Sequence, residues 1–485
     1  MRLLDELVSA GHTRLSIGGS WSASSDGAEI DVLDPSTGES LVRVASGSVE
    51  DARAAVDAAA AAAPGWAQTA PRDRSEILRS AFEGMVARSD ALAELIVLEM
   101  GKALSEAKAE ALYAAEFFRW YSGEAVRNHG EILTAPGGDK RILSIHQPVG
   151  VSLLITPWNF PAAMATRKIG PAIAAGCTMI LKPASDTPLT ALAMVEILRE
   201  AGLPDGVLNV LPSNRSSQVV PAMLADDRVR LVSFTGSTEV GRGLLAEAAK
   251  TVVNTSMELG GNAPFVVFDD ADIEAAVEGA MIAKMRNGGQ SCIAANRFLV
   301  HEAVAEDFGR QLSAAMGALH VGPGLEPGVE LGPLINGAAQ QDMAESVELA
   351  LGAGANVLTG GVAPERPGFF FEPTVLAGVA PGAPILEREV FGPVAPIVSF
   401  ADEEEAIALA NDSPHGLASY VYSRDLSRAL RVAEGIEAGM VGVNRGLISD
   451  PAAPFGGVKQ SGVGREGAHE GMLEFLETKY IAADW

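Results

Sequence analysis

The sequence predicts an α/β protein with parallel sheets and helices on both faces. From Gly150, short apolar runs alternate with helical stretches, and the runs read GVSLLIT, TMILK, VLNVL, RLVSF and VNTSMEL. A second series begins with PFVVF and continues through a helical pattern from Ile273 to about Lys284, then to about Asn444. Repeated strand–helix units of this kind form parallel sheets. With 485 residues, 48% of them hydrophobic, the chain is long enough for two or three domains.

The elements outside these two series are predicted as follows. Residues 12–45 resemble short strands and turns, and residues 48–119 have an Ala-rich helical pattern. We expect the helix through AAVDAAAAAAPGW to end near Pro64 and Gly65, because both residues disfavour helix continuation. The segment 120–147 has turn residues at 136–138 between apolar flanks, which indicates an exposed hairpin or arm. The tail, 467–485, is expected to close a sheet or reach a partner subunit.

Composition excludes several classes of function. The formal net charge of −26 argues against nucleic acid and against an anionic membrane surface as partners. The longest apolar stretch, 169–181, is shorter than the roughly 18 residues that a membrane helix needs. Two cysteines, Cys177 and Cys292, make no disulfide framework and favour a reducing cytoplasm. The seven histidines are scattered and there is no C-x-x-C pair, so we expect no metal site.

Cys292 is the candidate nucleophile. It ends the run Arg-Asn-Gly-Gly-Gln-Ser-Cys, where glycines allow unusual backbone angles and close approach of a ligand. A thiolate there would attack an electrophile. By residue type alone, a buried structural cysteine is the more common case. Cys177 has apolar neighbours and is interpreted as structural.

Glu258 and Asn159 follow predicted strands at the sheet edge where ligands bind in α/β proteins. A carboxylate at Glu258 can activate water, although an ion-paired glutamate is the simpler alternative. The amide of Asn159 can donate to an oxyanion, although asparagine is also common in turns.

The turn Phe234-Thr-Gly-Ser-Thr-Glu-Val-Gly241 lies between a strand and a helix and offers backbone N–H groups to a phosphate. It is neither G-x-G-x-x-G nor a P-loop, because Arg242 stands where that motif needs lysine. Alone, it is weak evidence for a nucleotide.

The order of the motifs is more specific than any one of them. The chain contains, in sequence, Pro-Trp-Asn159, Lys182-Pro, Gly236-Ser-Thr, Glu258-Leu-Gly-Gly, Gly-Gln-Ser-Cys292, Glu389-Val-Phe-Gly-Pro and Pro-Phe-Gly-Gly457. This series resembles the aldehyde dehydrogenase superfamily from about residue 14 to the end. Residues 256–272 and 453–467, with Ile448 and Ser449, resemble the bacterial succinate-semialdehyde dehydrogenases within it.

The resemblance implies the aldehyde dehydrogenase fold. A Rossmann-like cofactor domain is expected over 1–120 and 148–258, and an α/β catalytic domain over 259–444. A small β oligomerisation arm is expected over 121–147 and 467–485. The family's assembly implies a homodimer or homotetramer.

The resemblance also implies roles for matching residues. Cys292 would attack the aldehyde, the Asn159 amide and the Cys292 N–H would hold the oxyanion, and Glu258 would activate water on the thioester. Lys168 would lie near the nicotinamide side of this site. The expected cofactor contacts are Lys182 and Glu389 to the riboses, Ser237 to the pyrophosphate and Phe391 to the nicotinamide, together with Thr156, Pro157, Trp158, Ala184, Ser185, Gly236 and Leu259.

Two groups of residues predict specificity. Ser185 stands where NAD-preferring relatives often carry Glu, which would repel a 2′-phosphate, so we expect NADP over NAD. Arg167, Arg286 and Ser449 match positions that bind the far carboxylate of succinate semialdehyde, and arginine pairs well with a carboxylate. Ordinary ion pairing is the alternative in so acidic a chain.

Other activities remain open at this point. Glutarate semialdehyde or an uncharged aliphatic aldehyde would change only the substrate. Phosphorylating and CoA-acylating relatives usually lack the base, and an inactive structural protein would lack base or nucleophile, whereas this chain has Glu258 and Cys292. Two departures are notable: Ala294 replaces a second cysteine found in some of these enzymes, and Arg445 replaces a smaller polar residue.

Overall fold

The computed structural model describes residues 2–484. Residues 1 and 485, the outer ends of two predicted segments, lie outside the described residues. The α-helices are α1 Arg2–Ser9, α2 Val49–Ala67, α3 Pro71–Ala87, α4 Ser89–Met100, α5 Leu104–Glu124, α6 Pro161–Ala175, α7 Leu189–Glu200, α8 Ser216–Leu224, α9 Thr238–Ala248, α10 Ile273–Met285, α11 Glu302–Gly317, α12 Gly337–Gly352, α13 Glu403–Asn411, α14 Leu426–Gly435 and α15 Glu470–Leu473. Short 3₁₀ helices span Arg286–Gly289 and Pro384–Glu387.

The strands form three main sheets and two smaller ribbons. Their bounds are β1 Leu15–Ile17, β2 Ser20–Ser22, β3 Glu29–Leu33, β4 Ser40–Ala45, β5 Glu131–Thr134, β6 Arg141–Pro148, β7 Val151–Ile155, β8 Thr178–Lys182, β9 Leu208–Val210, β10 Val229–Thr235, β11 Asn254–Glu258, β12 Ala263–Val267, β13 Ala295–His301, β14 Asn356–Thr359, β15 Thr374–Ala377, β16 Val394–Phe400, β17 His415–Gly416, β18 Ala418–Tyr422, β19 Met440–Val443, β20 Val458–Lys459, β21 Gly462–Val463 and β22 Leu476–Ala483. Helices alternate with parallel strands, which confirms the predicted α/β class.

The first sheet has the order β2-β1-β9-β8-β7-β10-β11-β21. Its centre, β9 to β11, is parallel, and the register aligns Ile155 with Lys182 and Thr235 with Glu258. The carboxyl ends of these strands therefore meet at one edge, which is where α/β sheets bind ligands.

The second sheet has the order β14-β15-β16-β13-β12-β18-β19, and it is parallel except for β14. The chain passes from the first sheet to the second between Glu258 and Ala263. A third, antiparallel sheet has the order β22-β6-β5, so the last strand pairs with residues 141–148. The functional division of the chain into domains stays a prediction.

Helix α6 fixes the position of much of the site. All of its residues are buried, Arg167 and Lys168 among them, between α5 and the first sheet. The loop that precedes α6 carries Trp158 and Asn159 from the end of β7.

Two boundaries differ from the sequence prediction. Helix α2 does not end near Pro64 but continues to Ala67, and α5 continues to Glu124, into the segment predicted as an arm. Pro64 has no N–H, so the exposed last turn of α2 lacks one backbone hydrogen bond. The helix continues because Trp66, 2% exposed, anchors that turn in the core. The hairpin of β5 and β6 begins only at Glu131.

Among residues 2–484, the helices are all too short or too polar to cross a bilayer.

Candidate active site

The loop that carries Cys292 lies between α10 and β13 and is built from residues with left-handed backbone angles. Asn287, Gly288 and Gly289 have φ of 56°, 61° and 77°. For Asn287 this conformation is strained, and such strain persists only when neighbours hold it. The N–H of Asn287 donates to Glu106 Oε1 at 2.5 Å, and its side-chain amide donates to the carbonyl of Asn159 at 2.9 Å. The strained turn is therefore held by hydrogen bonds to Glu106 and Asn159, two residues outside the loop.

Close backbone packing also requires glycine beside this loop. A Cβ on Gly261 would lie 2.1 Å from the carbonyl oxygen of Cys292, and one on Gly289 would lie 2.1 Å from that of Gly392. The Glu-Leu-Gly-Gly run thus brings the end of β11 against the candidate nucleophile.

Asn159, the predicted oxyanion donor, lies against the same loop. Its Nδ2 donates to the carbonyl of Gln290 at 3.1 Å, and the residue is 4% exposed. Its Oδ1 is buried without a hydrogen-bond partner among the described residues. The amide has a second N–H available for a ligand.

A cleft of about 210 Å³ joins the two sheets at this point. It brings together nine residues predicted from the sequence with three that were not. The predicted residues are Pro157, Trp158, Asn159, Gly236, Ser237, Leu259, Cys292, Glu389 and Phe391, and the others are Met164, Thr235 and Gly260.

The electrostatic surroundings keep the Cys292 thiol protonated in the free protein. Burial raises the pKa of Cys292 to about 12, while the guanidinium of Arg167 acts in the opposite direction. The carboxylates of Glu389 and Glu258 raise this pKa further. Reactivity therefore depends on a base or on a change that accompanies ligand binding.

Glu258, the predicted base, is 2% exposed, and both of its carboxylate oxygens lack a partner among the described residues. Burial, and next the carboxylate of Glu466, raise its pKa well above the usual range, against the opposing charges of Lys168 and Arg167. A carboxyl group with a raised pKa is suited to proton transfer.

Glu466 links the charged groups behind Glu258. Its Oε1 accepts a hydrogen bond from Lys168 Nζ at 2.6 Å, and its Oε2 lies 3.4 Å from Arg167 Nη1. Lys168 also donates to Ser233 Oγ at 2.8 Å. Sequence reasoning missed Glu466, although it belongs to the Gly-Arg-Glu-Gly run that carries part of the resemblance.

The other half of the cleft has the chemistry of a dinucleotide site. Trp158 and Phe391 both line the cleft and pack edge to face with ring centroids 5.4 Å apart, and Ser237 caps the N-terminus of α9. A Glu389 oxygen accepts the N–H of Gly261 at 3.0 Å, and burial raises the Glu389 pKa to about 7. Apolar walls, carboxylate acceptors and a helix N-terminus fit a ring, ribose hydroxyls and phosphates respectively.

Lys182 ends β8 beside the first residue of the loop after β7, since the N–H of Thr156 donates to its carbonyl at 3.2 Å. Its Nζ donates to the carbonyl of Pro183, and burial lowers its pKa to about 8. Ala184 follows, half-buried. Ser185 lies away from the main cleft, in a cavity that it shares with Glu99, Asp186 and Asn336.

A second cavity, of about 580 Å³, is lined in part by the start of the Cys292 loop, at Arg286 and Asn287. Arg286 and Ser449, two of the three predicted substrate residues, line it together with Tyr113, Phe160 and Glu106. The Arg286 guanidinium lies over the rings of Tyr113 and Phe160, at 5.5 and 5.0 Å from their centroids.

Arg167, the third predicted substrate residue, is not among the residues that line this cavity. It is 2% exposed and donates to Tyr113 Oη at 2.9 Å, with its guanidinium 4.1 Å from the centroid of Phe455. It therefore supports the cavity wall from behind.

The two departures from the family pattern have simple surroundings. Arg445 donates to the carbonyl of Leu447 at 2.6 Å, and Ala294 is buried.

Within residues 2–484 there is no group of three or more His, Cys, Asp or Glu side chains arranged to hold a metal ion.

Residues 21–481 match the aldehyde dehydrogenase family, and the chain belongs to that family. It is 58% identical to a succinate-semialdehyde dehydrogenase of Paenarthrobacter nicotinovorans over 91% of this chain and 98% of the relative. It is 50% identical to a glutarate-semialdehyde dehydrogenase of Pseudomonas putida over 96% of both chains. The crystal structure of an Escherichia coli NADP dependent enzyme, 48% identical, superposes with a TM-score of 0.96 over 98% of each chain. The family and fold expected from the motifs are confirmed.

Proposed function

We propose that this protein oxidises succinate semialdehyde to succinate with NADP as hydride acceptor. The observation that carries the proposal is the pair Arg286 and Ser449 in a cavity whose wall includes the start of the Cys292 loop. A guanidinium there, held over two aromatic rings, is suited to the far carboxylate of a short semialdehyde. The 58% identical relative, itself a succinate-semialdehyde dehydrogenase, supports the same substrate.

The reaction starts on the thiol. Cys292 loses its proton, its sulfur attacks the aldehyde carbon, and the oxyanion forms within reach of the Asn159 amide. Glu389, Ser237 and Phe391 would hold the cofactor, which would accept the hydrogen of the former aldehyde carbon as hydride, so that the C–H bond breaks and the Cys292 adduct becomes a thioester. Glu258 takes a proton from water, the water oxygen attacks the thioester carbonyl, and the C–S bond breaks to give the free acid and the thiol. Overall, aldehyde, water and NADP⁺ yield carboxylate, NADPH and two protons.

The choice of NADP is proposed from the end of β8. Ser185 carries no charge that would repel a 2′-phosphate, and the ammonium of Lys182 is three residues away. The Escherichia coli neighbour, an NADP dependent enzyme, supports this choice. We expect Ser185→Glu to lower kcat/KM with NADP by about tenfold and to leave kcat/KM with NAD within about twofold. An unchanged cofactor ratio would remove Ser185 from the proposal.

Glutarate semialdehyde, one carbon longer, is the second candidate substrate. The cavity volume of about 580 Å³ accommodates the longer chain, and the 50% identical relative acts on it. Kinetics with succinate semialdehyde, glutarate semialdehyde and butyraldehyde separate the candidates. We expect Arg286→Met to lower kcat/KM for both charged aldehydes and to spare butyraldehyde. Fast turnover of butyraldehyde by the native protein would instead refute the proposed binding of a substrate carboxylate by Arg286 and Ser449.

We further propose a homo-oligomer in the cytoplasm. The three-stranded sheet ends in two strand edges and exposes the apolar side chains of Ile132 and Leu133 on one strand and Tyr480 on another. Exposed apolar edges of this kind are commonly covered by another subunit. Both cysteines, Cys177 and Cys292, are free, which agrees with a reducing compartment.

A further inference from the structure

Two opposite charges are buried beneath the loop that carries Asn159. Lys102, just before α5, and Glu110, on α5, are each 2% exposed, and Lys102 Nζ donates to Glu110 Oε2 at 2.5 Å. The ammonium also lies 4.1 Å from the ring centroid of Phe160. Neither residue lines the cleft around Cys292, whereas Glu110 lies in the wall of the second cavity.

The remaining hydrogen bonds of this pair end on the backbone of residues 159–163. Lys102 Nζ donates to the carbonyl of Asn159 at 2.8 Å. The other carboxylate oxygen of Glu110 accepts the N–H groups of Ala162 and Ala163, at 2.9 and 3.3 Å. These are the first N–H groups of α6, which have no partner within the helix. The pair thus holds the backbone on both sides of Phe160.

The carbonyl of Asn159 also accepts a hydrogen bond from Asn287 Nδ2, and Asn287 belongs to the strained turn before Cys292. Lys102 and the nucleophile loop therefore share one acceptor. A displacement of this carbonyl would move the Asn159 amide relative to Cys292.

Stability alone is a poor reason for such a pair, because burying two charges costs as much as their attraction returns. We propose that Lys102 and Glu110 are positioning residues that fix the Asn159 amide in the geometry needed to stabilise an oxyanion on the Cys292 adduct. The proposal rests on the function proposed above for Asn159, but it depends neither on the aldehyde nor on the cofactor.

The test uses p-nitrophenyl acetate with the full-length protein and no nucleotide. Attack of the Cys292 sulfur on this ester forms a thioester and releases p-nitrophenolate, so the release burst reports acylation alone. The burst is measured in the native protein, Lys102→Met, Asn159→Ala and the Lys102→Met/Asn159→Ala double variant. Cys292→Ala gives the background. Lys108→Met, an exposed lysine of α5 paired with Asp90, is the matched control.

We expect Lys102→Met to slow the burst about tenfold, because small displacements of a catalytic group have large effects on rate. In the Asn159→Ala background the same change should cost less than twofold, because the group that Lys102 positions is then absent. Lys108→Met should leave the burst unchanged. An equal loss in both backgrounds, or no loss in either, would overturn the proposal.

Lys102→Met leaves Glu110 without its ion partner and can unfold the protein for that reason alone. Melting temperatures are therefore recorded for every variant. The burst is also measured for Lys102→Met/Glu110→Gln, which removes both charges, with and without Asn159→Ala. If Lys102→Met/Glu110→Gln is stable and acylates at the native rate, the ion pair has only a structural role. A native protein that shows the Cys292-dependent burst but oxidises no aldehyde refutes the proposed function and leaves this proposal standing. Absence of the burst from the native protein refutes the positioning role as well.

Discussion

The carboxyl group of Glu258 is in an unusual state for a residue expected to act as a base. It is buried, neither oxygen has a partner among the described residues, and its pKa is raised well above the usual range. The raised pKa therefore favours the neutral acid in the free protein. The ionised base forms only when water or a ligand enters, because both would solvate the carboxylate.

Glu258→Gln should separate the two halves of the reaction. We expect a first-turnover burst of NADPH near the native amplitude and a steady-state rate lower by at least about a hundredfold, because the thioester is no longer hydrolysed. The melting temperature at pH 7 should not fall. A carboxyl group whose pKa is higher in the folded than in the unfolded protein lowers the free energy of unfolding once the pH exceeds its pKa in the unfolded chain. Glutamine does not ionise, so Glu258→Gln removes this loss of stability. Stopped-flow absorbance and calorimetry measure both; loss of the burst itself would contradict the assignment.

We predict that Lys182 makes cofactor affinity depend on pH. Burial lowers its pKa to about 8, so the ammonium is charged at pH 7 and largely neutral at pH 9.5. The Kd for NADP should rise about tenfold over this interval, because a charge that attracts the 2′-phosphate is lost. Titration calorimetry measures it, with NAD as the control ligand, whose Kd should change less. Lys182→Met should flatten the NADP profile, and an equally steep profile in that variant would exclude Lys182.

At the scale of elements, the Cys292 loop is held by backbone contacts that leave no room for side chains. Gly261→Ala would place a methyl carbon 2.1 Å from the Cys292 carbonyl oxygen, so strand β12 or the loop must shift. We expect kcat to fall by at least about tenfold, because displacement of a nucleophile is costly.

The matched control for this change is Gly65→Ala. Gly65 lies within α2, and a Cβ there meets nothing within 4 Å. It should leave kcat unchanged and raise stability by about 0.5–1 kcal/mol, because alanine favours the helix. Steady-state kinetics and chemical denaturation are the measurements. Native kcat in Gly261→Ala would mean that the loop adapts to the methyl group.

Five strands of the first sheet, β7 to β11, and the first strand of the second, β12, could be predicted because their apolar runs lie between glycine, proline and helical stretches. The end of α2 could not, since Trp66, two residues beyond Pro64, is anchored by packing that no local pattern records. The partners of Glu466 were equally hidden: Lys168 is 298 residues away along the chain. The local sequence shows which chemical groups are present, whereas packing between segments far apart in the chain determines which of these groups come into contact. Arg167, behind the cavity wall, illustrates the same limit.

At the scale of the whole molecule, the C-terminal strand β22 pairs with strand β6, which directly precedes β7 of the first sheet in the chain. Strand β22 pairs antiparallel with β6 from Leu476 to Ala483, and β5 completes the sheet on the other side. The outer strands β5 and β22 are its edges. Ile132 on β5 is 67% exposed and Tyr480 on β22 is 57% exposed. Such edges invite pairing with another chain unless they are covered.

Ile132→Glu tests whether a second copy covers this sheet. Placing a charge on an apolar contact costs desolvation in the assembly and nothing in the free chain, so the oligomer should dissociate into smaller species. Sedimentation velocity over a range of concentrations measures the change. Leu426→Glu is the control: Leu426 is 64% exposed at the first position of α14, where a carboxylate favours the helix dipole, and the oligomer should persist. A native protein that sediments as a monomer would refute the assembly, and dissociation in both variants would place the interface elsewhere.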